Sequence, residues 1–124
     1  MKSRESYRLV FVTCANHMQA KLIARSAVEK RLAACVNILR CPIESHYRWN
    51  GKVEKARELL LLIKTTAGKL GDLEKEVKRL HSYDVPEFIA LPIVAGSKAY
   101  LAWLCDSVTP SATKRTTTPG PNRP

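Results

Sequence analysis

The dipeptide Asn50-Gly51, set between two long arms, constrains this chain more than any other feature. A type I′ turn needs positive φ at both central residues, and Asn-Gly is a pair that accepts it readily. The entering arm alternates, with Ser45, Tyr47 and Trp49 on one face and His46 and Arg48 on the other. The leaving arm carries Lys52, Glu54, Lys55, Arg57 and Glu58 before Leu59 to Ile63 turn wholly apolar. As one continuous strand, residues 52–65 would reach roughly 46 Å, at ~3.3 Å per residue. A compact domain of this size has a radius of gyration of about 13 Å and a diameter of roughly 34 Å. The tip must protrude, and an exposed edge bearing Tyr47 and Trp49 demands a cover. A second copy of the chain is the expected cover, which makes the hairpin an assembly arm. The alternative is that Pro42 and a bend fold the hairpin back onto its own sheet.

The rest of the chain supplies the elements around that hairpin. "RLVFVTC" (8–14) reads as a short buried strand. Asn16 is a helix cap, and Gln19 three residues on completes a capping-box pattern. Apolar residues then recur at Ala20, Ile23, Ala24, Ala27, Val28 and Leu32, one face of a helix ending near Ala33. "CVNIL" (35–39) is a second strand, which Pro42 breaks or bulges before it resumes toward the turn. Leu70, Leu73, Val77 and Leu80 mark a second helix. "FIALPIV" (88–94) is a fourth strand, its Pro92 placing it at an edge. Gly96-Ser97 cap a third helix, "KAYLAWLCDSV", apolar almost all round. The order β-α-β-β-α-β plus a C-terminal helix predicts an α+β fold, a ferredoxin-like sandwich with a long protruding hairpin. Residues 1–108 form that single domain. Residues 109–124, rich in Thr and Pro with no large apolar side chain, are expected to be a disordered basic tail.

Charge and cysteines exclude several classes. The formal charge of +10 includes Lys114, Arg115 and Arg123 of the tail, and the other basic residues are spread along every segment. No dense basic block and no interleaved aromatic platform points to nucleic acid, so a solvated basic surface is the expected reading. No stretch approaches a membrane span, and Leu9 to Val12 is too short for a signal-peptide core. Cys14, Cys35, Cys41 and Cys105 form no C-x-x-C pair and read as reduced thiols. A cytoplasmic protein is expected. With no nucleophile elbow, Walker loop or dinucleotide fingerprint, the chain reads as a binding protein rather than an enzyme.

Six segments carry a resemblance: "FVT" (11–13), "EKRLAACVN" (29–37), "SHYRWNGKVEKARE" (45–58), "IKTT" (63–66), "HSYDVPEFIALPI" (81–93) and "YLAWL" (100–104). Together they cover nearly all of residues 8–106, and in that order the chain resembles the CutA divalent-cation tolerance family. The resemblance implies a ferredoxin-like fold and a tight homotrimer in which strands of one subunit continue the sheet of the next. It also implies a likeness to PII-type signalling trimers, which bind small molecules in clefts between subunits, and a link to copper or another divalent cation. Some bacterial members carry Cys immediately before the Thr of the first strand; here that residue is Val12, and Cys14 lies on the other side of Thr13. Where members often have His-Pro-Tyr, this chain reads His81-Ser82-Tyr83.

Candidate chemistry follows from both lines. Copper prefers imidazole and thiolate, which makes His81 the first candidate ligand and Cys14 the second. Cys14 stands in a Cys-x-x-His spacing with His17. The plainer reading of His81 is a partly exposed His at a helix C-terminus, and that of Cys14 a strand-end thiol. Glu58, Lys64, Tyr83 and Glu87, with His81, are expected to meet in a cleft between subunits. Glu58 and Lys64 share a strand face, and an ion pair across the subunit seam explains them equally well. Tyr47 and Trp49 belong to the same interface, and Tyr100 and Trp103 to it or to the core of the third helix. Metal binding is the expected function, small-molecule sensing or scaffolding the alternative.

Overall fold

The computed structural model describes residues 6–110. Its elements are β1 (Tyr7–Cys14), α1 (His17–Glu29), β2 (Cys35–Trp49), β3 (Lys52–Thr66), α2 (Leu70–Leu80), β4 (Ile89–Pro92) and α3 (Lys98–Val108), with a 3-10 turn at Ala67–Lys69 leading into α2. The four strands form one antiparallel sheet in the order β2-β3-β1-β4, an α+β architecture with the expected element order. The tail expected from 109 onward lies outside the described residues except for Thr109 and Pro110.

The hairpin is built as its sequence demands. Asn50 has φ of 52° and Gly51 of 79°, the left-handed pair of a type I′ turn. Trp49 pairs with Lys52, Tyr47 with Glu54 and Ser45 with Ala56. The register shifts between Leu39 and Ile43, which face Leu60 and Glu58: four steps along β2 answer two along β3. Pro42, which has no N–H for the ladder, sits inside this bulge. Pro92 likewise closes β4 at the sheet edge.

One face of the sheet holds the core. Val10, Val12 and Cys14 of β1 and Leu59, Leu61 and Ile63 of β3 pack beneath Ala20, Ile23 and Ala27 of α1 and Leu73 and Val77 of α2. Asn16 Oδ1 accepts from the Gln19 N–H at 2.9 Å, as a cap should. The Gln19 side chain does not complete a capping box. Its Nε2 donates to the Leu80 carbonyl at 3.3 Å, and its Oε1 accepts from the Ser82 hydroxyl at 3.1 Å, so it bridges the two helices. The helix α1 also stops at Glu29, short of Ala33, because Arg31 adopts φ of 59°. The Leu32 N–H then reaches back to the Ala27 carbonyl, and that of Arg31 to Val28, a Schellman ending with arginine where glycine is usual.

The opposite face is only partly covered. At one end α3 lays Leu104 and Val108 on Ala34, with Tyr7, Tyr100, Leu101 and Trp103 around them. Elsewhere Leu9, Phe11, Leu39, Leu60, Leu62, Ile89 and Leu91 lie across all four strands on this face, and Leu39, Ile89 and Leu91 count among the exposed large apolar residues.

Candidate functional site

The site begins where β1 ends. Cys14 faces Leu59, the last rung of the β1–β3 ladder, so Glu58 is the first β3 residue beyond it. Glu58 is buried, 7% exposed. The segment after α2 closes over this point. His81, expected to be a partly exposed helix-end residue, is instead buried. Its Nε2 donates to the Thr13 carbonyl at 2.7 Å, and its Nδ1 accepts from the Tyr83 N–H at 3.1 Å. A carbonyl can only accept, so this arrangement places the ring proton on Nε2. Thus held, His81 packs against Tyr83 with ring centroids 4.7 Å apart and planes tilted by 50°, and the Tyr83 hydroxyl donates to Glu58 Oε2 at 2.8 Å.

A cavity of about 680 Å³ opens beside this chain of contacts. Thr13, Ser45, Tyr47, Trp49 and Glu58 line it from the partly covered face of the sheet, with His46 between them on β2, and Tyr83 to Glu87 line it from the loop. The electrostatics follow from burial and from Glu58. The Tyr83 phenol is pushed well above the usual tyrosine range by desolvation, then by its bond to Glu58. The Glu87 carboxyl is raised by partial burial and by the charge of Glu58. The Cys14 thiol is pushed up to about 11, chiefly by burial and secondly by Glu58. A smaller cavity of about 340 Å³ shares Glu58 and is rimmed by His17, Arg40 and Arg57.

The residues singled out in the sequence divide into two groups. Tyr47, Trp49, Glu58, Tyr83 and Glu87 do meet around one cavity, with His81 behind them and Cys14 buried next to Glu58. Lys64 does not reach them within one chain. Six residues of unbroken strand put it roughly 20 Å from Glu58, and its ammonium donates to Asn37 Oδ1. Tyr100 and Trp103, 5.4 Å apart, belong to the packing of α3. The expectation missed the lining contributed by Thr13, Ser45 and the Asp84-Val85-Pro86 turn; Ser45 shared the alternation of Tyr47 and Trp49, which was the available signal.

Neither His81 nor Cys14 stands ready for a copper ion in this chain. Both His81 nitrogens are hydrogen-bonded, and Cys14 is a buried thiol whose proton a metal would have to displace. Among the described residues no three His, Cys, Asp or Glu side chains come together as a metal set.

Residues 8–107 match the family model described as CutA1 divalent ion tolerance protein. The Thermus thermophilus divalent-cation tolerance protein CutA is 49% identical over 96 residues, covering 77% of this chain and 92% of that protein. The human protein CutA is 48% identical over 99 residues, covering 80% of this chain and 55% of that one, so the chain spans about half the length of that relative. The crystal structure of CutA1 from Oryza sativa superposes with a TM-score of 0.81 at 46% identity, covering 88% of this chain and 100% of that one.

Proposed function

The chain belongs to the CutA1 divalent ion tolerance family, and from that membership we propose that it is a divalent-cation tolerance protein working as a ferredoxin-like, PII-like homotrimer. Copper or another divalent cation is the stress it answers, and it acts by binding rather than by catalysis. The observation that carries the assembly is the apolar face formed by Leu9, Phe11, Leu39, Leu60, Leu62, Ile89 and Leu91, which α3 covers only at one end. Exposing such a face to water costs about 25 cal/mol per Å², and contiguous patches of this kind are contact surfaces. Sedimentation equilibrium should give about three times the 13.9 kDa chain mass. Phe11→Asp, which sets a charge into the middle of that face, should dissociate the assembly and abolish copper tolerance in a copper-sensitive host. A monomeric wild-type protein overturns the assembly. A copper-sensitive host that gains nothing from the wild-type chain overturns the tolerance role.

A direct metal contact is tested separately, by calorimetric titration of Cu(II) into wild type, His81→Ala and Cys14→Ser. A copper affinity unchanged in His81→Ala removes His81 as ligand. The cavity at Glu58 favours a second reading, a trimer that senses a small molecule, because a pocket of this volume is in the range of ligand sites.

A further inference from the structure

We propose that the cavity between the hairpin tip and the Tyr83–Glu87 loop binds a small organic cation, an ammonium group on an apolar body, with Glu58 as its counter-ion and Tyr47 and Trp49 as its walls. The inference rests on the small-molecule reading of that cavity and is independent of metal.

Glu58 carries the argument. It is more than nine-tenths buried, yet among the described residues no Lys, Arg or His pairs with it. Tyr83 satisfies Oε2. Among the described residues none donates to Oε1, which is not sealed off from solvent, and the residue lines the cavity. A carboxylate taken this far out of water is costly without a cation beside it. The other buried acid among the described residues, Glu76, is compensated by Arg79, Lys30 and Ser26. Glu58 is the exception, and it stands at an opening.

The surroundings select the kind of cation. Glu87 and Asp84 line the opposite side, so an anion would meet carboxylates on both walls, and the imidazole in the lining, His46, is taken up by Glu44 at 2.7 Å. This acidic pocket sits in a chain of net charge +10, which makes its sign a local property. Tyr47 and Trp49 are each 46% exposed and offer aromatic faces, which attract an ammonium group and pack an apolar body. A cavity of about 680 Å³ holds far more than the stem of one lysine. A compact organic molecule fits the volume, the sign and the walls together.

The test uses the full chain in its native assembly, ¹⁵N-labelled, in buffer containing EDTA so that metal plays no part. Benzylamine, benzyl alcohol and benzoate are titrated to about 10 mM, following the Trp49 indole and the amides of residues 83–87. Benzylamine should shift these signals and bind at least about tenfold tighter than benzyl alcohol, with benzoate silent. Glu58→Gln should lose about tenfold or more of that affinity. Glu87→Gln, at the exposed rim, should weaken binding several-fold without disturbing the fold, which keeps the proposal testable should Glu58→Gln not fold. Equal binding of benzyl alcohol or benzoate overturns the cation assignment and leaves the small-molecule reading standing. Silence of all three probes overturns both, including the case in which a side chain of a second copy already fills the cavity.

Discussion

The Tyr83 hydroxyl donates to Glu58 Oε2 at 2.8 Å and so joins the loop after α2 to β3 just past the end of β1. The two residues stand 25 positions apart in the sequence. Tyr83→Phe removes the one donor that the described residues offer this buried carboxylate. The expected loss of stability is about 1–3 kcal/mol, read as a lower midpoint in urea, and the signals of residues 83–87 should broaden or split. An unchanged midpoint would mean that water replaces the hydroxyl at no cost.

Cys14 should behave as the least reactive of the four thiols. It is buried with its thiol raised to about 11, while Cys41 is exposed. With a thiol-specific chromophore at pH 8, Cys41 should react at once and Cys14 only as fast as the protein opens. The raised values of Cys14 and Tyr83 also fix the sign of alkaline behaviour. Their stabilising contribution is complete below the unfolded-state values, roughly 8.5 and 10, and is lost as pH rises toward the folded ones. Cys14→Ser should flatten the part of that fall between about pH 9 and 11.

Glu76 sets the acid side. Arg79 grips its carboxylate through two nitrogens, at 2.7 and 3.0 Å, while Lys30 and Ser26 of the α1 region bond the same group. These contacts, Arg79 first and Ser26 next, hold its carboxyl well below the usual range. A depressed acid contributes stability above its unfolded value of roughly 4.3 and loses it as pH falls below that. Glu76→Gln should cost about 2 kcal/mol at pH 7 and markedly less at pH 2. Equal losses at both values would refute an ionic role.

The turn provides a backbone test. Gly51 holds φ of 79° with open space around its missing Cβ. Gly51→Ala adds a Cβ with nothing within 4 Å of it, so any effect comes from the left-handed backbone alone. The expected cost is about 1–2 kcal/mol. Asn50→Gly should be nearly neutral, because either residue accepts φ of 52°.

Much of this architecture was legible because it is local. The Asn50-Gly51 turn, the Asn16 and Ser97 caps and the break at Pro42 each depend on residues within a few positions of one another. The site was half legible. Alternation put Ser45, Tyr47 and Trp49 on one face, and the resemblance pointed at Glu58, Tyr83 and Glu87. Shared strand face does not bring Lys64 to Glu58 within one chain, since parity says nothing of the roughly 20 Å along the strand. His81 was placed at a helix end, but its burial is decided by the Thr13 carbonyl 68 positions away. Glu76 went unnoticed for the same reason: Ser26 and Lys30 arrive from another helix. A signal was present, since an acid three positions after Leu73 stands next to Val77 on the apolar stripe of α2.

The bulge at residues 40–42 has a consequence for what length changes the chain can tolerate. It adds two residues to one strand, and an even insertion leaves the alternation of side chains in phase. Tyr47 and Trp49 therefore emerge on the same side as Leu39, above Glu58. The outer pairs are counted from the Asn50-Gly51 turn along an unbroken β3, so Tyr47 stays opposite Glu54 and Trp49 opposite Lys52 whatever the bulge holds. A residue lost or gained at 40–42 would be absorbed between Leu39 and Ile43, because a bulge may hold one extra residue as well as two. Length variation in this short segment should thus leave both aromatic rings on the cavity side.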